Sequence, residues 1–268
     1  MGDVRHRIGT GDPGDHKTTA APVPTGSVRL SSVRPLVRYV DESQAVVEVH
    51  FTFEKCRGDV PEGATIDVLI ELRGEDGSID EHRRTIPATG GAGFVKLAIV
   101  EPMLWWPAGL GKQPLYTVAV TLLEDDEPID HHEASVGLTS VRCKAPMLQR
   151  QFLVNGREVA IGSIVPVDQA DERHLLPAAG DSLLLVRGHY GPDVLYHAAD
   201  RAGILLLQCV PIHPLAKPTS DIAPQVDRLA GHPSLAGWFV GHLGPLADDV
   251  ATALQKLDPT HGIYRAVA

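Results

Sequence analysis

Aromatic residues make up only 5% of the sequence, methionine and cysteine occur 3 times each, and no apolar run approaches the roughly 20 residues needed to span a bilayer. Cys56, Cys143 and Cys209 lie far apart with no Cys-x-x-Cys spacing, so neither a disulfide framework nor a zinc knuckle is expected, and buried free thiols are. Positive charge is also short: 24 Lys and Arg face 34 Asp and Glu, a net charge of −10. Without a broad basic surface to neutralise phosphates, nucleic acid and membrane are not expected as partners, and a neutral ligand such as a sugar fits better. The N-terminus, MGDVRHRIGTGDPGDH, carries charges where a signal peptide has its apolar region, so a cytoplasmic location is expected. Gly2 follows Met1, but His6 stands where myristoylation needs Ser or Thr.

What is present is a normal apolar content, 43% of 268 residues, enough for two ordinary domains. Residues 1–26 are rich in Gly, Pro, Asp, Thr and His without apolar periodicity, and a disordered, mobile tail is expected there. From Ser27 to Lys144 the pattern has period two. Val47, Val49, Phe51 and Phe53 alternate with Glu48, His50 and Thr52, and Ile66, Val68, Ile70 and Leu72 alternate similarly. Further alternating segments at 95–100, 116–123 and 133–142, with Asp76-Gly77 supplying the positive φ angles of a tight hairpin turn, predict an immunoglobulin-like β-sandwich of about seven strands.

From Ala145 to Ala268 the texture changes to apolar runs, VAIGSIV at 159, SLLLVRG at 182, GILLLQCV at 203 and LAGWFVG at 235. Such strands, buried on both faces, indicate a parallel sheet. Between them PDVLYHAADRAG, DIAPQVDRLAG and PLADDVATALQKLD carry apolar residues at helical spacing. The repeating unit is βα, with a fifth strand expected within 261–267. A closed eight-fold barrel takes about 250 residues, so the stretch reads as a partial, half-length TIM-type barrel.

The stretch Glu101-Pro-Met-Leu-Trp-Trp-Pro-Ala-Gly-Leu-Gly-Lys-Gln-Pro-Leu-Tyr116 resembles the segment that closes the sandwich in glycoside hydrolase family 2, which contains β-galactosidases, β-glucuronidases and β-mannosidases. Read as residues alone, Trp105 and Trp106 are amphipathic anchors that pack the sandwich edge against its neighbour. The resemblance continues in the family's order. Phe152-Leu-Val-Asn-Gly-Arg157 is similar to the hairpin entering the barrel, Val186-Arg-Gly-His-Tyr-Gly-Pro192 to the end of its second strand, and Tyr196 to Leu205 to a helix and third strand. His232-Pro-Ser-Leu-Ala-Gly-Trp238 is similar to the fourth strand and Leu257-Asp-Pro-Thr260 to the turn before the fifth.

Retaining glycosidases need two carboxyl groups roughly 5 to 5.5 Å apart, one protonating the leaving oxygen and one attacking the anomeric carbon. The resemblance places the family's Asn and general-acid Glu at His242 and Leu243, and a leucine cannot deliver a proton. No catalytic residue is therefore identified, the family's nucleophile lying beyond Ala268. Cys209 stands where many members carry an acidic residue, and Ser163-Ile-Val165 where the family has Gly-x-Asn. His189, matching a histidine of the family's active-site floor, and Arg187, two residues earlier on the same face of the second strand, are with His242 and Trp238 the candidate sugar-binding residues; the plainer reading is that Arg187 and His189 satisfy neighbouring groups at a strand end. His189, His213 and His242 near successive strand ends suggest an imidazole metal site, though no Cys or carboxylate accompanies them at fixed spacing, and no metal or cofactor is assigned. Cys209 reads as a small buried hydrophobe, and Asp248 and Asp249 suit the start of a helix.

Three functions remain open. One is a family member without hydrolase activity, retained for carbohydrate binding or protein assembly. Another is an active O-glycosyl hydrolase of β-galactosidase or β-mannosidase type completed by a partner chain. The third is a structural module whose outer strands pair in a homodimer or with another protein.

Overall fold

The computed structural model describes residues 28–56, 62–89, 91–143, 151–168, 182–212, 222–241 and 243–265. The expected tail, 1–26, lies outside them. The chain is mostly β-sheet with few helices. Its first seven strands are β1 (Val28–Val40), β2 (Gln44–Lys55), β3 (Thr65–Arg73), β4 (Ile79–Pro87), β5 (Ala92–Val100), β6 (Tyr116–Glu124) and β7 (Glu127–Val136). They pair antiparallel into two sheets, ordered β1-β2-β5 and β4-β3-β6-β7.

Alternation decides which side chains meet between the sheets. Val47, Val49, Phe51 and Phe53 of β2 share one buried core with Ile66, Val68, Ile70 and Leu72 of β3 and Val118, Val120 and Leu122 of β6. This is the aligned packing of a sandwich, in which each inward side chain leaves water while its neighbours face out. Glu48 is the exception on the outward face of β2, only 6% exposed. Arg38 on β1, at 2.6 Å, and Lys96 on β5, at 3.1 Å, cover it from both flanking strands, and His50 Nε2 lies 3.1 Å away. Burial alone would raise its carboxyl, but these three partners bring it down to about 2.

Two local expectations need correction. At Asp76-Gly77 only Gly77 takes a positive φ, of 84°. The loop is wider than a two-residue turn: Gly74 N–H bonds Ser78 O, and Asp76 accepts hydrogen bonds from Ser78 N–H and Oγ–H. The two-residue turns with both φ positive occur instead at Asp125-Asp126 (52° and 65°) and Asn155-Gly156 (51° and 78°). The segment expected as one strand over 133–142 is divided between β7 and a short β8 (Val141–Cys143).

β8 joins β9 (Gln151–Val154) and β10 (Arg157–Ala160) in a small antiparallel sheet ordered β10-β9-β8. The run VAIGSIV is therefore split, its first half in β10 and its second in β11 (Ser163–Val167). β11 opens a parallel sheet with β12 (Ser182–Val186), β13 (Leu205–Cys209), β14 (Leu235–Val240) and β15 (Ile263–Arg265), ordered as in sequence. Helices α1 (Asp193–Ala202), α2 (Ile222–Leu229) and α3 (Pro245–Leu257) connect β12 to β15. One face of this sheet, with Leu184, Val186, Leu206 and Val240, packs with helical Leu195, Tyr196, Val226, Val250 and Leu254. The other face, with Leu183, Leu205, Leu207 and Ala236, clusters with Phe152, Val154 and Trp105.

The sandwich is fastened to the helices by specific bonds. Trp105, fully buried, donates its indole N–H to Asp200 O at 2.8 Å and its backbone N–H to Leu138 O. The turn after Trp106 docks through Ala108 N–H to Gly203 O at 2.9 Å. From β1, Arg34 reaches Asp227 of α2 at 2.8 Å and Leu257 O at the end of α3.

Candidate functional site

In sheets of consecutive βα units, ligands meet the carboxyl ends of the strands, because loops there are free to vary while the strands are fixed by packing. Here those ends bring together Asp168 after β11, Arg187 after β12, Cys209 closing β13, and Gly241 with Leu243 after β14. Arg187 donates from its guanidinium to Asp168 Oδ2 at 2.9 Å, while its backbone N–H bonds Val167 O. The pair is open to solvent, at 46% and 68% side-chain exposure, so a ligand carboxylate or hydroxyl can compete for the guanidinium.

His189 lies beyond the strand rather than within it. β12 ends at Val186 and Gly188 has φ of 78°, so the strand alternation expected to put Arg187 and His189 on one face has already broken. The His189 ring contacts Arg187 O through Nδ1 at 3.1 Å. Its carbonyl accepts from Gln208 Nε2 at 2.9 Å, and Gln208, fully buried, in turn accepts from Tyr196 Oη–H and Gly191 N–H. This network anchors the loop carrying His189 to β13 and α1.

Cys209 is half-buried beside these groups. Burial pushes its thiol up, against smaller lowering effects of the Gly241 backbone and Arg187, so the neutral thiol prevails at neutral pH and its nucleophilicity is low. Leu243, in the loop after β14, is 58% exposed. His242 and His213 lie outside the described residues. Among the described residues the one carboxylate brought to this group of strand ends from β11, β12 and β13 is Asp168.

Trp238 is not placed to meet a sugar. It is 0% exposed, belongs to the helix-side core, and donates its indole N–H to Asp258 Oδ2 at 2.8 Å. Asp258, at the end of α3, also accepts from Thr260 Oγ–H and contacts His261 Nδ1, and although burial opposes its ionisation these donors hold its carboxyl well below the usual range. The physical cause of the reversal is one extra residue in β14. The pairing Leu206 to Leu235 is followed by Leu207 to Gly237, which leaves Ala236 unpaired. Strict alternation from Leu235 would have put Trp238 on the face of Ala236; the bulge sends Trp238 to the helix side and Phe239 to the other.

In sequence His232-Pro-Ser is a landmark only; in the fold it closes a buried network. Asp200, buried in α1, accepts His232 Nδ1–H at 2.6 Å with one oxygen and Ser234 N–H and Oγ–H with the other. Two acceptor oxygens thus fix the turn entering β14. Two cavities, of about 340 and 450 Å³, lie on the other side of the molecule, against the residues that precede β14 and β15.

Comparison with known proteins agrees with this architecture. The family described as Glycosyl hydrolases family 2 matches residues 28–138. An exo-β-D-glucosaminidase of Streptomyces avermitilis is 27% identical over 241 residues, covering 69% of this chain and 26% of the relative. A β-mannosidase A of Emericella nidulans is 30% identical over 194 residues, covering 59% of this chain and 21% of that protein. Among solved structures, a β-D-mannosidase from Dictyoglomus thermophilum superposes with a TM-score of 0.73 at 22% identity, over 89% of this chain and 34% of its own. A Bacteroides uniformis β-glucuronidase reaches 0.74 at 16% identity, over 89% and 34%. This chain thus spans about a quarter of the length of the curated relatives it matches. The sandwich, the Trp105 junction and these likenesses converge on one assignment: residues 28–138 match the glycoside hydrolase family 2 domain, and the chain is similar to members of that family beyond it.

Proposed function

We propose that the parallel sheet is part of a (β/α) barrel whose open end engages carbohydrate without cleaving it, so that the chain acts in carbohydrate binding or in assembly with another protein. Leu243 carries this reading. General acid catalysis contributes about 10² to 10⁴ in rate and requires a group that can release a proton to the leaving oxygen. An aliphatic side chain aligned with that role, 58% exposed after β14, offers none. Arg187, Asp168 and His189 supply one positive group, one negative group and one imidazole within a small area, a donor and acceptor set suited to hydroxyls.

A glycosidase completed by a partner chain is the second reading. The observation favouring it is that, among the described residues, β11 and β15 are the outer strands of the parallel sheet, each paired on one side only. Calorimetric titration of the purified protein with mannose-, glucosamine- and glucuronic-acid-containing oligosaccharides tests the binding reading. Heat is expected with at least one, weakened about ten-fold or more in Arg187→Ala, about the loss of one charged hydrogen bond. No heat with any of the sugars, or unchanged affinity in that variant, contradicts it.

A further inference from the structure

A second group of donors lies away from the strand ends, where the sandwich meets α1 and α2. The cavity of about 450 Å³ there is walled by His132 and Glu133 of β7, His197 of α1, Asp227 of α2 and His232. His197, Asp200 and His232 each offer a metal-binding atom, and those atoms all lie within 4.8 Å of one another. The two imidazoles meet edge to face, with centroids 4.9 Å apart at 66°.

The hydrogen bonds decide which atoms are free. Asp200 Oδ2 takes the Nδ1 side of His232 at 2.6 Å, and Asp200 Oδ1 takes Ser234 N–H and Oγ–H. A buried carboxylate on Nδ1 fixes the proton there and leaves Nε2 with a free lone pair, the tautomer and orientation a metal needs. His197 has no place in that network. Among the described residues its imidazole makes no hydrogen bond, and stabilising the turn before β14 does not require it. The acidic groups lining the cavity are already paired: Asp227 with Arg34, Glu133 with Arg73, and Asp193 with Arg228. The uncommitted donors are therefore imidazole nitrogens, which suit zinc, nickel or copper and disfavour calcium and magnesium.

We propose that His197 and His232 are two ligands of a zinc-class transition metal at the junction between the sandwich and α1, with Asp200 orienting His232 from behind. A rotation of the exposed His197 side chain closes the donors onto a shared ion at Zn–N distances of about 2.0 to 2.1 Å. Water completes the coordination. Bound there, the ion adds to the Asp200 contacts that fix α1 against the turn before β14. The strand ends are not involved, so this site stands or falls independently of the function proposed above.

The test is zinc titration of the whole chain by calorimetry, with cobalt absorption as a second readout, on the wild type and on His197→Ala. The chain has 13 histidines, so the difference between proteins is the measurement rather than total binding. One zinc equivalent is expected to be lost or weakened at least ten-fold in His197→Ala, with the tetrahedral cobalt band lost in parallel and the metal-free melting temperature unchanged. Should His197→Ala fail to fold, His197→Gln gives the same comparison with the side-chain volume retained. Equal zinc stoichiometry and affinity in wild type and variant, or calcium binding at the site as well as zinc, overturns the proposal.

Discussion

Glu48 shows how much one side chain's surroundings can matter. Its carboxyl, ordinarily near 4.5, is brought to about 2 in the folded chain by Arg38, His50 and Lys96 in spite of burial. A depressed carboxylate contributes stability that is present above its unfolded value and is lost as pH falls through the folded one. Between pH 4.5 and about 2 the wild type is therefore expected to lose about 2 to 3 kcal/mol that Glu48→Gln never has, less in high salt. Urea denaturation of both proteins across this range checks it: their stabilities should converge on acidification, and a constant gap contradicts the assignment. The period-two pattern around Val47 and Phe51 put Glu48 on the outward face. It carried no sign that strands on either side would bury the carboxylate, because Arg38 and Lys96 lie 10 residues before it and 48 after it in a register fixed by pairing. Trp238 marks the opposite limit. Its strand was legible as an apolar run, but a single unpaired residue at Ala236 decides which face the indole takes, and that depends on Gly237. A Cβ at Gly237 would lie 2.5 Å from Gly262 O, a close approach of backbones from β14 and the turn before β15.

At the scale of elements, both repeating patterns translated directly into structure. Alternation became the sandwich, and apolar runs flanked by helical spacing became the parallel sheet with α1, α2 and α3. Turn geometry was less legible. Asp125-Asp126 forms a tight turn without the Gly expected of one, whereas Asp76-Gly77 is widened by the Asp76 to Ser78 hydrogen bonds. The joints between elements could not be read from local pattern at all, since they depend on surfaces far apart in sequence. Gly203 ends α1 with φ of 72°, and a Cβ there would lie 2.5 Å from Ala108 N of the loop after the double Trp. Both the left-handed backbone and the contact oppose a side chain. Gly203→Ala is expected to cost about 2 to 4 kcal/mol, more than the ~1 kcal/mol typical of losing a C-cap glycine alone. Thermal melting checks it, and a cost under ~0.5 kcal/mol would show that the loop moves aside freely.

At the scale of the molecule, a sandwich and a parallel βα unit are joined by Trp105 to the Asp200 carbonyl, Ala108 to the Gly203 carbonyl, and Arg34 to Asp227 and the Leu257 carbonyl. The architecture was legible because it follows from patterning and from the Trp105 to Tyr116 segment. The site was less so: Arg187 and His189 follow the end of β12 rather than sharing a face of it, and each satisfies a neighbour, Asp168 for Arg187 and the Arg187 carbonyl for His189. The proposed absence of hydrolysis turns on the aliphatic residue after β14, Leu243. Protonation of the leaving oxygen matters most when that group is a poor one, as in alkyl glycosides and disaccharides, and least for dinitrophenyl leaving groups. Hydrolysis of methyl and disaccharide β-mannosides and β-glucosaminides by the purified protein is thus the most direct measurement. No turnover above buffer is expected at any pH, and no gain from Leu243→Glu alone; turnover of these unactivated glycosides with a bell-shaped pH profile, lost in His189→Ala, would contradict the binding-only reading.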